Sequence, residues 1–376
     1  MNILHNIRKT ISNIPGWRTD RRIVVIESDD WGSIRMPSIQ TFIKLENAGL
    51  DLRSLDAERY NLNDTLATPS DLQNLFEILN SFRDRFSNNA VFTALSVVAN
   101  PDFNKIKETN FKTYYYEPFT ETLKRYHGND KTFELWIEGI NKKIFIPQLH
   151  GREHLNVQTW LRLLKSGEKQ TKLAFEEGFW GFVPERNSIH KTDFQAAFLL
   201  SELSELEYHK QVIIEATSIF KKLLGYKAEY FVPPNGPINN NLNLTLFENG
   251  IKYRSASKVQ YEPVGKNKTK KVINWLGKKE KNGIIYITRN CFFEPSLRDR
   301  DWVDTCLNDI KIAFRLDKPA IISSHRVNYV GDINLNNRDL GLSKLKILLQ
   351  AILRNWPDVQ FLTTPDLGKL IEIDLL

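Results

Sequence analysis

The stretch that decides the fold is Ile23-Val24-Val25-Ile26-Glu27-Ser28-Asp29-Asp30. A second apolar run, Ile144-Phe145-Ile146-Pro147-Gln148-Leu149, is followed by His150 and His154. Both runs have the composition of buried β-strands. Because the carboxyl ends of parallel strands build the active sites of α/β folds, carboxylate and imidazole groups at these two strand ends predict a metal centre.

Strand-like and helix-like segments alternate along the rest of the chain. Further strands are predicted at residues 90–98, 179–183, 229–232, 252–255, 284–288 and 320–324. Helical spacing of apolar residues predicts helices over 69–82, capped by Thr68, and over 194–224, 301–314 and 342–353. This alternation favours a parallel (β/α) barrel, with a doubly wound open sheet as the alternative. No G-x-G-x-x-G motif follows the first strand, which argues against a dinucleotide-binding sheet.

The composition is that of a soluble globular protein, with 376 residues of which 41% are hydrophobic and 26% charged. No run of eighteen apolar residues predicts a membrane-spanning helix, and residues 1–17 lack the apolar core of a secretory signal. The two cysteines, Cys291 and Cys306, are too few for a disulfide framework. We therefore expect a cytoplasmic protein.

Positive charge is concentrated in two segments of a chain with net charge +7. Residues 1–21 form a basic amphipathic segment, in which apolar residues recur at helical spacing: Ile3, Leu4, Ile7, Ile11 and Ile14. This segment is either a helix packed across one end of the domain or a peripheral contact with an anionic membrane. A second basic cluster, 266–281, lacks aromatic residues placed for base stacking, so nucleic-acid binding is not expected.

Residues 22–376 are expected to form one barrel domain with an aromatic-rich insertion at about 100–143. The aromatic residues of this insertion suit a lid or a substrate wall over a barrel, or a satellite hydrophobic cluster. The sequence does not predict the oligomeric state.

Two imidazoles and one carboxylate are a common ligand set for a catalytic Zn²⁺ with a free coordination position. The run from His150 to His154, His-Gly-Arg-Glu-His, also matches H-x-x-E-H, a zinc-protease motif in which Glu153 would be the general base. That motif requires a continuous helix, and Pro147 and Gly151 make a helix unfavourable there.

Two later strand ends also carry polar groups. His325 follows the strand at 320–324, and a rigid turn, Pro233-Pro234-Asn235-Gly236, follows the strand at 229–232. Taken alone, each is consistent with an ordinary loop. Together with the first two strand ends, they predict one shared site at the mouth of a barrel.

These blocks resemble the metal-dependent polysaccharide deacetylases, carbohydrate esterase family four. Ser28-Asp29-Asp30-Trp31-Gly32 is similar to the T-F-D-D-G block of that family, and His150 with His154 is similar to its H-[ST]-x-x-H block. Phe231-Val232-Pro233-Pro234-Asn235-Gly236 is similar to F-R-P-P-Y-G, and Asp301-Trp302 and Ser324-His325 are similar to the last two blocks.

The resemblance implies a distorted (β/α) barrel with about seven parallel strands. It also implies Asp29 as the general base and His325 as the general acid, with the backbone N–H of Asn235 binding the oxyanion. Asp30, His150 and His154 would hold a divalent metal ion, with Zn²⁺ as the expected metal.

The sequence departs from the family pattern at the motif arginine, whose place is taken by Val232. Arg152, Arg289 and Arg326 are candidates to replace it. The reaction implied is hydrolysis of an acetyl group, N-acetyl before O-acetyl, on a sugar or a glycan precursor for a surface polysaccharide. The alternatives are a catalytically weak carbohydrate-binding barrel and the zinc protease.

Overall fold

The computed structural model describes residues 3–54, 57–129, 131–184, 194–266 and 268–375. Its strands are β1 (Ile23–Trp31), β2 (Phe92–Ser96), β3 (Ala99–Pro101), β4 (Tyr116–Pro118), β5 (Phe145–Leu149), β6 (Tyr230–Phe231), β7 (Tyr253–Ser255), β8 (Val259–Pro263), β9 (Thr269–Ile273), β10 (Ile285–Ile287), β11 (Cys291–Phe292), β12 (Ala320–His325) and β13 (Gln360–Phe361).

The first seven helices are α1 (Ile3–Asn13), α2 (Ile39–Asn47), α3 (Ala57–Asn61), α4 (Pro69–Asn80), α5 (Phe103–Glu108), α6 (Phe119–His127) and α7 (Lys131–Asn141). The other seven are α8 (Val157–Lys165), α9 (Lys169–Glu176), α10 (Leu206–Leu224), α11 (Asn243–Glu248), α12 (Trp302–Arg315), α13 (Leu335–Asn355) and α14 (Thr364–Asp374). No helix in the described ranges combines the length and the apolarity needed to cross a bilayer.

One all-parallel sheet of nine strands organises the molecule. Its order is β10-β7-β6-β5-β2-β1-β12-β11, and β13 pairs with the first residues of β1. Eight strands thus follow one another where about seven were expected. The sheet is curled into a half-barrel and helices surround it, which confirms the predicted α/β barrel class.

The inner face of the curled sheet has an apolar floor. Side chains from strands distributed across the sheet pack there into one cluster with α14: Ile23, Val25, Tyr230, Tyr253, Ile285, Ile321, Leu367 and Ile371. Because strand residues alternate between faces, Glu27 and Asp29 follow Ile23 and Val25 on the inner face. The register between β1 and β12 sets Glu27 beside Ser323 and Asp29 beside His325. The floor therefore carries polar layers above it, towards the strand carboxyl ends.

Most helix predictions are confirmed. Thr68 caps α4 through a capping box with Asp71, and Asp301 caps α12. Two predictions are wrong. Residues 179–183 are not a strand but an irregular buried segment, and a short apolar run does not distinguish the two. In the predicted helix 194–224, only α10 and the short 3₁₀ turn before it are helical, and the buried residues Phe194, Ala196 and Phe198 lie in irregular chain.

The aromatic-rich segment at 100–143 folds into α5, α6, α7 and a small antiparallel pair, β3 with β4. Its Phe119 and Trp136 rings pack 4.7 Å apart, and Trp136 contacts Phe145 of β5 with ring centroids 5.3 Å apart. These side chains belong to the main core. No described residue of the segment lines the central cavity, so the lid prediction is not supported.

Candidate active site

A local irregularity at the end of β1 turns both aspartates towards one cavity. The pairing of β1 with β2 shifts register between Ser28 and Trp31, and Asp30 has φ +76°. A left-handed backbone at a non-glycine residue is strained, and such strain is concentrated at functional sites. The bulge explains how Asp29 and Asp30, which would leave a regular strand on opposite faces, both line the cavity.

Asp30, His150 and His154 form a compact buried group. The Oδ1 atom of Asp30 lies 3.4 Å from Nε2 of His150 and 3.2 Å from Nε2 of His154. One ligand atom from each residue lies within 4.8 Å of the others, and all three residues are buried. These residues could hold a metal ion, since one carboxylate oxygen and two imidazole nitrogens converge on a common point.

The hydrogen bonds of the two histidines suit metal ligands. Nδ1 of His150 lies 2.8 Å from the carbonyl oxygen of Val232, so its N–H donates there and Nε2 keeps its lone pair for the cavity. Burial lowers the pKa of His154 to about 4, which leaves this imidazole neutral. Burial would raise the pKa of Asp30, but the neighbouring imidazoles of His150 and His154 lower it well below its usual value.

The segment from His150 to His154 is an irregular loop, not a helix. Gly151 has φ +111°, which brings the two imidazole rings to 5.1 Å. Glu153 pairs with Arg152, with Nε and Oε2 2.6 Å apart. The H-x-x-E-H arrangement, with a glutamate poised on one helical face beside the metal, is therefore not formed.

Arg289 holds the Asp29 carboxylate through two hydrogen bonds. Its NH1 donates to Oδ2 at 2.7 Å and its NH2 to Oδ1 at 2.6 Å, while its Nε donates to buried Glu27. Burial alone would raise the pKa of Asp29, but the charge and hydrogen bonds of Arg289 lower it overall. Asp29 is thus kept ionised although it is buried.

His325 lies opposite Asp29 and is hydrogen-bonded to a glutamate that favours its protonated form. Its Nε2 lies 3.8 Å from Oδ2 of Asp29, and its Nδ1 donates to Oε1 of Glu294 at 2.5 Å. Burial would lower the pKa of His325, but Glu294, supported by Asp29 and Asp30, raises it to about 9. Nε2 therefore carries a proton at neutral pH and presents it to the cavity.

These groups line a cavity of about 920 Å³. Asn235 contributes to its wall from the turn after β6, with φ +54°, and Trp302 lines it at the start of α12. The structure therefore brings together all six residues singled out in the sequence: Asp29, Asp30, His150, His154, Asn235 and His325.

Three residues at the site were missed or left undecided by the sequence. Among the candidate arginines, Arg289 contacts Asp29, whereas Arg152 pairs with Glu153 and Glu215, and Arg326 with Asp64. Asp301 is the N-cap of α12, and the carboxylate that contacts His325 is Glu294. Glu27 was not expected to take part. The period of two in β1 would have placed Glu27 on the inner face beside Asp29.

No protein-family model and no curated protein sequence matches this chain. Among solved structures, the chain is similar to an allantoinase, at 10% identity and TM-score 0.48, over 94% of this chain and 91% of that one. It is similar to a Mycobacterium smegmatis protein classed as a polysaccharide deacetylase, at 11% identity and TM-score 0.44, over 97% and 95%. It is also similar to the 4-alpha-glucanotransferase of Thermococcus litoralis, at 12% identity and TM-score 0.46, over 92% of this chain and 40% of that enzyme.

Proposed function

We propose that this chain is a metal-dependent hydrolase that removes an acetyl group from a sugar, N-acetyl in preference to O-acetyl. The observation that carries the proposal is the geometry around Asp29. An ionised, arginine-held carboxylate lies between a buried Asp-His-His group and a protonated histidine. Acyl-group hydrolysis requires a base for water and an acid for the leaving group, and this site offers both.

Asp29 is the general base of the proposed reaction. Its carboxylate is ionised and oriented by Arg289, so it accepts a proton from the attacking water. The backbone N–H of Asn235 is proposed to stabilise the oxyanion from the cavity wall. His325 then donates its Nε2 proton to the leaving group. A positively charged acid suits an amine leaving group, which must be protonated before the C–N bond breaks.

Asp30, His150 and His154 are the proposed metal ligands. A Zn²⁺ ion bound by them would polarise the acetyl carbonyl and lower the pKa of the attacking water. The hydrogen bond from His150 to the Val232 carbonyl fixes the tautomer that such a ligand needs. The proposed membership of the polysaccharide deacetylases rests on the same residues, and it suggests a glycan precursor of a surface polysaccharide as the substrate.

A carbohydrate-binding barrel without activity is the second candidate. A pure binding site gains nothing from an ionised buried base and a protonated acid facing each other, because both are costly to desolvate. The cavity itself would serve either function.

The test measures bound metal and acetate release from acetylated amino sugars. Asp29→Asn and His325→Ala should retain metal and lose acetate release by about 10²-fold or more, whereas His150→Ala should lose the metal. Asp304→Asn, on the exposed surface of α12, is the matched control and should behave as wild type. Full acetate release by Asp29→Asn would refute the mechanism. Bound metal without release from any acetylated sugar would favour the binding barrel.

A further inference from the structure

The helix α1 lies on the domain with its polar side inwards. Lys9 forms an ion pair with the buried Asp309 of α12, and Asn13 accepts a hydrogen bond from Nζ of Lys258 at 2.6 Å. The opposite side faces solvent and exposes two isoleucines together with Arg8 and Ser12. Ile7 is 48% exposed and Ile11 is 61% exposed. An amphipathic helix on a globular domain normally buries its apolar side, so the orientation of α1 is inverted.

The β8–β9 hairpin exposes a second apolar group. Val259 and Ile273 are cross-strand partners and therefore share one face of the hairpin. They are 45% and 51% exposed, and Tyr261 on the same face is 61% exposed. The other face carries Gln260 and Glu262, which are buried against the domain. The hairpin thus repeats the inverted arrangement of α1.

The two elements adjoin. Nζ of Lys258, the residue before β8, donates to Oγ of Ser12 at 3.2 Å as well as to Asn13. The backbone N–H of Trp17, beyond α1, donates to the carbonyl of Leu276, just after β9, at 2.8 Å. We define the docking face by the six exposed apolar residues of these elements: Ile7, Ile11, Ile14, Val259, Tyr261 and Ile273.

The segments that carry the docking face are strongly basic. Residues 1–22 hold five lysine or arginine residues against Asp20, a net +4, and residues 266–281 hold seven lysines against Glu280, a net +6. The whole chain has net charge +7, so the remaining residues are net −3. The positive charge of this protein is therefore a property of this region and not of its surface in general.

We propose that the docking face binds the surface of an anionic lipid bilayer. Exposed aliphatic and tyrosine side chains within a basic surround are the features that bind interfacial membrane segments, by burial of apolar area and by attraction to anionic headgroups. A second copy of this chain fits less well, because a two-fold interface would set the same basic region against itself. Lys9, Ser12, Asn13 and Lys258 also line the cavity, so a bound bilayer would lie beside it.

The test is sedimentation of the full chain with lipid vesicles. Partition onto phosphatidylglycerol-containing vesicles should exceed partition onto pure phosphatidylcholine by about tenfold or more, and should weaken as salt is raised. Ile11→Asp and Tyr261→Asp should each lower the partition about tenfold. Ile214→Asp is the matched control, because Ile214 is an exposed helical isoleucine on α10, outside the docking face, and should have no effect.

Two outcomes would overturn the proposal. Equal sedimentation with neutral and anionic vesicles, or equal loss in Ile214→Asp, would remove the lipid preference. A lipid-free dimer that Ile11→Asp converts to monomer would assign the face to a second copy. Acetate release from a soluble acetylated amino sugar should be unchanged in Ile11→Asp, so failure of membrane binding is distinguishable from failure of the proposed function.

Discussion

Replacing Glu294 by glutamine tests whether this carboxylate keeps His325 protonated. The pKa of His325 is raised from 6.5 to about 9, and Glu294 is the main favourable cause. An increase of this size corresponds to a free energy on the order of 3 kcal/mol before solvent screening. The His325 side chain is 26% exposed, so solvent screens part of this interaction, and Asp29 and Asp30 contribute another part. We therefore expect Glu294→Gln to lower the pKa of His325 by about one unit or more.

The assay is the pH dependence of acetate release by metal-loaded protein. The proposed acid works when protonated, so activity should fall on the alkaline side, and this limb should move to lower pH in Glu294→Gln. Asp301→Asn is the control, because asparagine preserves a helix N-cap and Asp301 does not contact His325. An unchanged alkaline limb in Glu294→Gln, or an equal shift in Asp301→Asn, would refute the assignment.

The same shift predicts a pH dependence of stability in metal-free protein. A group whose pKa is raised on folding stabilises the folded state fully below its unfolded pKa, near 6.5, and loses that contribution as the pH rises through about 9. After screening, the loss from His325 should be about 1–2 kcal/mol. Denaturant unfolding of wild type and Glu294→Gln at pH 6 and pH 9 measures it, and the variant should lose less.

Three further predictions follow from contacts elsewhere in the site and its support. Arg289→Lys keeps the charge but loses the two-pronged hydrogen bonding to Asp29, so kcat/KM should fall about tenfold or more and the acidic limb of the pH profile should move to higher pH. Asp30→Asn should lower bound metal per chain about tenfold or more and abolish the rise in Tm on adding Zn²⁺, measured by elemental analysis and thermal unfolding. Gly341→Ala should lower the free energy of unfolding by about 2–4 kcal/mol in urea, because its Cβ would lie 1.7 Å from the carbonyl oxygen of Asn328, whereas a gain in stability would contradict this packing.

The sequence predicted the fold class and the residues that gather at the cavity because both depend on local patterns. Apolar runs ending in polar residues identify strands and their carboxyl ends, and parallel topology brings those ends together. That reasoning placed Asp30, His150 and His154 in one site from two short segments. It failed for residues 179–183, where the apolar run packs as irregular chain.

Local sequence patterns did not predict which residues contact the proposed acid, His325, and the proposed base, Asp29. Glu294 follows the two-residue strand β11. Nothing in the surrounding residues indicates that it contacts His325, which lies 31 positions later in the chain. The orientation of α1 was equally hidden, since an amphipathic pattern does not state which side faces the domain. The inward side is decided by Asp309, a buried carboxylate on another helix that pairs with Lys9.

Val232 illustrates how a charge partner can be supplied from a different strand. At the position where the family that the sequence resembles has an arginine, Val232 packs its side chain into the barrel floor, and its carbonyl accepts a hydrogen bond from His150. Arg289 reaches Asp29 from the end of β10 and is anchored by Glu27, two residues before Asp29 on the same face of β1. The buried guanidinium is hydrogen-bonded to both carboxylates, and removal of Arg289 would leave the buried Glu27 and Asp29 side chains without this charge partner. Arg289, held in place by Glu27, therefore supplies the charge partner of Asp29. The site is defined by charged groups that lie close together in space, whatever their order along the chain.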